Sequence, residues 1–132
     1  FGAAIIDEKG KVVAISSNTV LKDNDPTAHA EINAIRQATT KMKTYDLSNC
    51  ILFTTAFPCP MCLGAIIWSN IKTVYYGCDV KQTNEIGFRD EKIYDFLKSD
   101  CKNINILKLS IQDQEKCLEL FKEYKESNKK IY

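Results

Sequence analysis

The side chains able to do chemistry fall in two short stretches. Cys59 and Cys62 lie three residues apart in Pro58-Cys59-Pro60-Met61-Cys62, between the apolar run Ile51-Leu52-Phe53 and Leu63-Gly64-Ala65-Ile66-Ile67-Trp68. The run reads as a strand and the following segment as a helix, with Pro60 suited to the first helical position. Cys59 then falls at the N-cap and Cys62 in the first turn. Residues three apart share a helix face, so both sulfurs can reach one point in space. The positive end of the helix favours thiolates, the form a metal ion takes. Two cysteines are half a site. The second stretch, Asp25-Pro26-Thr27-Ala28-His29-Ala30-Glu31, holds the only histidine in the chain and a carboxylate two residues after it.

These residues need elements to hold them. Ala3 to Ile6 and Val12 to Ser16 read as strands joined by the turn Asp7-Glu8-Lys9-Gly10. Asn18 closes the second strand and a polar loop follows. Asp25-Pro26 is a helix start, and Ala28, Ile32, Ile35, Ala38 and Met42 recur at helical spacing down to Lys43. Glu31 falls inside that apolar stripe, and a carboxylate on a buried face needs a partner. On an ideal helix, however, His29 and Glu31 point well apart. Cys50 to Thr55 is a third strand, Pro60 to Asn70 a helix, and Val74 to Gly77 a fourth strand. A loop then runs to Gly87-Phe88-Arg89-Asp90, followed by a helix over Lys92 to Lys98. Ile104 to Leu109 reads as a fifth strand and Asp113 to Ser127 as a final helix with a Cys117, Leu120, Phe121, Tyr124 stripe. Five strands interleaved with helices predict a three-layer α/β/α domain around a mixed sheet, a single domain over residues 1–132.

Composition narrows the partners. A net charge of +1 argues against nucleic acid or an anionic membrane, and 27% charged and 45% hydrophobic residues are ordinary for a globular domain. Six cysteines in 132 residues are too sparse for a disulfide scaffold. Cys50, Cys78, Cys101 and Cys117 therefore read as small buried hydrophobes in a reducing cytoplasm. The helix after Cys62 is apolar nearly all round, which suggests burial on both faces and a subunit interface. The chain begins with Phe1, within a strand, so a preceding segment is expected.

His-x-Glu followed by Pro-Cys-x-x-Cys is the signature of zinc-dependent deaminases. Together with Asn24-Asp25-Pro26-Thr27-Ala28-His29-Ala30-Glu31 and Pro58-Cys59-Pro60-Met61-Cys62-Leu63-Gly64-Ala65-Ile66, it makes the sequence resemble the cytidine deaminase-like superfamily, and within it the guanine deaminases. The resemblance runs over essentially the whole chain. It implies one Zn2+ per chain on His29, Cys59 and Cys62, with Glu31 moving protons and Asp90 helping the leaving amine. It implies that Asn18, Phe1 and Ala30 hold a free base, and that Trp68 and Tyr132 complete the pocket across a homodimer, one form of which exchanges the C-terminal helix. It also implies another helix ahead of Phe1. Two positions depart from the family pattern: Phe57 stands where glutamate is usual, and Arg89 where an acidic residue is common.

On this reading the reaction is hydrolysis of guanine to xanthine and ammonia. A tRNA-specific adenosine deaminase would share every zinc and proton residue, but near-zero charge and Asp90 speak against it. A non-catalytic zinc or dithiol module is the reading from another class. A dithiol has no need of His29 and Glu31, and a closed structural site needs a fourth ligand, for which Cys78 is the candidate. Asp90 has a plain alternative role as the N-cap of the helix after it.

Overall fold

A computed structural model describes all residues, 1–132. Its centre is a four-stranded mixed sheet in the order β2-β1-β3-β4. The strands are β1 (Gly2–Ile6), β2 (Val12–Ser17), β3 (Ile51–Ala56) and β4 (Thr73–Cys78). β1 pairs antiparallel with both β2 and β3, whereas β3 and β4 run parallel. The parallel pair requires a crossover, supplied by α3 (Pro60–Trp68). The remaining helices are α1 (Val20–Asp23), α2 (Ala30–Met42), α4 (Val80–Glu85), α5 (Asp90–Lys98) and α6 (Gln114–Glu126).

Alternation along the strands sends Ala3, Ile5, Leu52 and Ala14 inward, where they meet α2. That helix approaches through Ala30, Ala34 and Ala38, all essentially buried. Three alanines on one face leave no bulk between helix axis and sheet, which brings the backbone of α2 close enough for Glu31 to reach across. Ile32 and Ile35 stay half-buried, so the expected apolar stripe is rotated by about one residue.

Three expectations are corrected. There is no fifth strand: residues 104–109 are turn and coil, and Ile104, Ile106, Leu107 and Leu109 are all exposed. Strand propensity is a preference for a half-buried pleated surface, and here no neighbouring strand offers one. The outer face of the sheet carries Ile15, Phe53 and Tyr75 in the open, so the chain forms two layers rather than three. Lastly, Cys78 and Cys117 are exposed and only Cys50 of the four lone cysteines is buried. Cys78 ends the edge strand and Cys117 sits on α6, which buries no residue.

One close approach tests the β3–β4 pairing. A Cβ added at Gly77 would lie 2.8 Å from the Thr55 carbonyl oxygen, a backbone atom that cannot swing aside. Gly77→Ala should lower unfolding stability by about 1–3 kcal/mol, measured by urea denaturation; an unchanged midpoint would contradict this strand spacing.

Candidate metal centre and active site

Helix α2 starts four residues later than its sequence pattern suggests. Asp25 Oδ1 accepts hydrogen bonds from the Thr27 N–H at 2.8 Å and the Thr27 hydroxyl at 2.7 Å, which folds residues 25–28 into turns. His29 is therefore the N-cap, in extended conformation (φ −67°, ψ 156°), and Glu31 is the second helical residue. This removes the angular conflict of an ideal helix, because the two side chains leave different kinds of backbone and meet at one place. Cys59 is likewise the N-cap of α3 in extended conformation (φ −63°, ψ 166°), with Pro60 behind it as expected.

The donor atoms of His29, Cys59 and Cys62 lie within 4.8 Å of one another. His29 Nδ1 is 3.5 Å from Cys59 Sγ and 3.6 Å from Cys62 Sγ. A tetrahedral ion bound at about 2.0 Å to nitrogen and 2.3 Å to sulfur sets those atoms about 3.6 Å apart, so the spacing fits zinc. Both cysteines are buried and His29 is half-buried. The Cys59 thiol pKa is lowered, first by the side chain of Cys62 and then by the Cys62 N–H and the charge of His29. Cys62 is pushed up by the Cys59 side chain, by burial and by Glu31. Of the two, Cys59 gives up its proton more readily. Cys78, the candidate fourth ligand, is exposed at the end of β4 and outside the cluster, so the protein supplies three donors and the set is open.

Glu31 is 8% exposed. Thr54 Oγ1 donates to its Oε1 at 2.9 Å, and Cys62 Sγ donates to Oε2 at 3.4 Å. The carboxylate is held between the sheet and the cysteine loop, on the wall of an open cleft. Phe1, Asn18, Ala30 and Asp90 line it together with His29 and Cys59. The Asn18 Oδ1 accepts from the Val20 N–H at 3.1 Å, leaving its NH2 as the donor it can offer.

Asp90 is the first residue of α5, not its cap; Arg89 holds that position and no side chain caps the helix. Burial raises the Asp90 pKa above the ordinary carboxylate value, with Glu31 adding to the rise and His29 opposing it. Gly87, at φ 99°, makes the turn that delivers Phe88 and Asp90 to the cleft, where the Phe88 ring meets Phe1 edge-on at 5.2 Å.

Trp68 and Tyr132 are elsewhere. Their rings lie 5.7 Å apart in a second groove with Tyr45, Ile35 and Lys130. Trp68 is six residues beyond Cys62, so the helix rise alone carries it roughly 9 Å away. A single chain does not bring either to the cleft. Sequence reasoning missed Thr54, Thr83 and Phe88 among the lining residues. Thr54 had a signal: it shares the inward face of β3 with Leu52, and a hydroxyl there is a natural partner for a buried carboxylate.

The geometry predicts about one zinc per chain by elemental analysis. Cys62→Ser should lose most of it, and Glu31→Gln should keep it. Loss of zinc in Glu31→Gln would make Glu31 a ligand instead.

Comparison with known proteins agrees with this site. A model of the cytidine and deoxycytidylate deaminase zinc-binding region matches residues 1–78. Guanine deaminase of Bacillus subtilis is 48% identical over 94 residues, which are 71% of this chain and 60% of that protein. The chain thus matches about 60% of that relative's length. The tRNA-specific adenosine deaminase of Haemophilus influenzae is 31% identical over 128 residues, 97% of this chain and 74% of its own. The X-ray structure of the Bacillus subtilis guanine deaminase superposes with a TM-score of 0.85 at 38% identity, covering 99% of this chain and 83% of that one. With its histidine and cysteine donors at zinc spacing and its fold shared across nearly its whole length, the chain belongs to the zinc-binding cytidine and deoxycytidylate deaminase family.

Proposed function

We propose that the chain deaminates a free nucleobase, converting guanine to xanthine and ammonia. The observation that carries the reading is Asp90: a carboxylate not spent on capping, half-buried in the same cleft as Glu31, His29 and Cys59. Two carboxylates at one site match a hydrolysis in which a proton must leave water and another must reach a departing amine. A bound zinc, on His29, Cys59 and Cys62, would lower the pKa of a water from 15.7 to about 7. Glu31, fixed by Thr54, takes the proton from that water and passes it to the ring nitrogen beside C2. The oxygen bonds to C2, the bond from C2 to the exocyclic nitrogen breaks as Asp90 protonates that amine, and the proton released when the C2 hydroxyl becomes a carbonyl restores Asp90, leaving xanthine and ammonia. Phe1 and Phe88 give apolar walls for a flat ring, and Asn18 a donor for its edge.

The resemblance to a tRNA adenosine deaminase extends over almost the whole chain, which keeps adenosine in an RNA loop as the second substrate to test. A net charge of +1 provides little to hold phosphates.

We also infer a homodimer that uses the C-terminal part of the chain. Every residue from 102 to 132 is exposed, including Leu118, Leu120, Phe121 and Tyr124 of α6, and so are Ile67 and Trp68 on α3. So much apolar surface on one chain marks an interaction surface. Exchange of α6 between two copies would cover it and bring Tyr132 toward the partner's cleft. No helix is long and apolar enough to cross a membrane.

Ammonia release is expected to be faster from guanine than from adenine, cytosine or cytidine. Asp90→Asn should lose about 10²–10⁴-fold in turnover with stability changed by less than about 1 kcal/mol; an unchanged rate would remove Asp90 from the mechanism. A preference for adenosine in a tRNA anticodon loop would favour the second substrate. Light scattering at micromolar concentration should give twice the chain mass, and an active monomer would rule out the exchanged dimer.

A further inference from the structure

Asp90 reaches the cleft from an element that has few ties to the rest of the domain. Helix α5 buries only Phe96. Its N-terminal end follows a glycine turn, and residues 84–89 are exposed. Proton transfer needs a carboxyl group placed to within a fraction of an ångström, so something must fix that first turn. One hydrogen bond is suited to the task. Tyr94 Oη donates to the Pro58 carbonyl oxygen at 2.6 Å, a contact between residues 36 apart in sequence. Pro58 is buried and immediately precedes Cys59.

Tyr94 follows Asp90 by four residues, so the two side chains lie on one face of α5, a turn apart. The tyrosine ring is itself fixed: it meets Phe57 with centroids 6.1 Å apart, and Phe57 meets Tyr76 of β4 edge-on at 5.0 Å. Phe57 is in turn bound through its N–H to the Cys78 carbonyl at 2.7 Å. The path from sheet to helix therefore runs through rigid aromatic rings and backbone groups, with no long flexible side chain in it.

We propose that Tyr94 is a positioning residue, a strut from the backbone of the cysteine loop to α5 that sets the distance between Asp90 and the metal donors. It touches neither the base nor the ion, and it acts on the rate through Asp90 alone. The effect on rate rests on the deaminase reading above; the strut itself does not.

The test uses the zinc-loaded protein, Tyr94→Phe, Asp90→Asn and the double variant. Tyr94→Phe keeps the ring against Phe57 and removes only the hydroxyl. Hydrogen exchange read by mass spectrometry should quicken roughly 3- to 10-fold over α5 from Ile93 onward, where the N–H groups are hydrogen-bonded, while α2 and the zinc content stay as in wild type. Unchanged exchange in those residues overturns the strut, whether or not the protein is an enzyme. Guanine turnover should fall about 10- to 100-fold in Tyr94→Phe. In the Asp90→Asn background the same substitution should cost less than about twofold, because the group it positions is already gone. Equal losses in both backgrounds, or a full rate in Tyr94→Phe, overturn the action through Asp90. Absence of ammonia release from the wild type with any base refutes the deaminase reading, and the exchange result alone then decides the strut.

Discussion

Three helices begin at one point, and the rest of the site depends on that convergence. His29 caps α2, Cys59 caps α3 and Asp90 opens α5. Each helix start presents unpaired N–H groups and the positive end of its dipole. Negative charge is therefore favoured at that place, which suits the thiolate form of Cys59, while burial works against it at Asp90. The Cys62 N–H pointing at Cys59 Sγ is the local expression of this field. The sheet exists to make the convergence possible. β3 ends beside the cysteine loop, β1 runs antiparallel to it, and the alanine face of α2 brings the second helix start close.

The same arrangement explains why the side chains are short. Histidine, cysteine and aspartate have one or two rotatable bonds, so placing them costs little conformational entropy. Their positions are set by backbone geometry at the helix starts, and the glutamate, which has one more torsion, is the member given a hydrogen-bonding partner in Thr54. The cleft is built from the backbone outward.

Much of this was legible in the sequence because the signals were local. Pro60 after Cys59, glycine at 87 and alternation in β3 each fix geometry within a few residues. Where the reading failed, a second interaction competed with the local one. Asp25-Pro26 resembles a helix start, yet Asp25 bonds Thr27 and postpones the helix, which is what lets His29 and Glu31 converge. Ile104 to Leu109 alternates like a strand but has no strand beside it. Asp79 and Gln82 form a capping box that opens α4 within the expected loop, a signal carried by their three-residue spacing.

The donors also divide the chain in a telling way. His29 belongs to the hairpin β1–β2 and the helix that packs on it, whereas Cys59 and Cys62 belong to the β3–α3–β4 crossover. Thirty residues separate His29 from Cys59. An ion shared between them is a cross-link between two supersecondary units, closing a long loop in the folded chain. Its binding free energy counts toward holding the units together as well as toward the chemistry. Metal affinity and the cohesion of the two halves are, in this fold, one thermodynamic quantity.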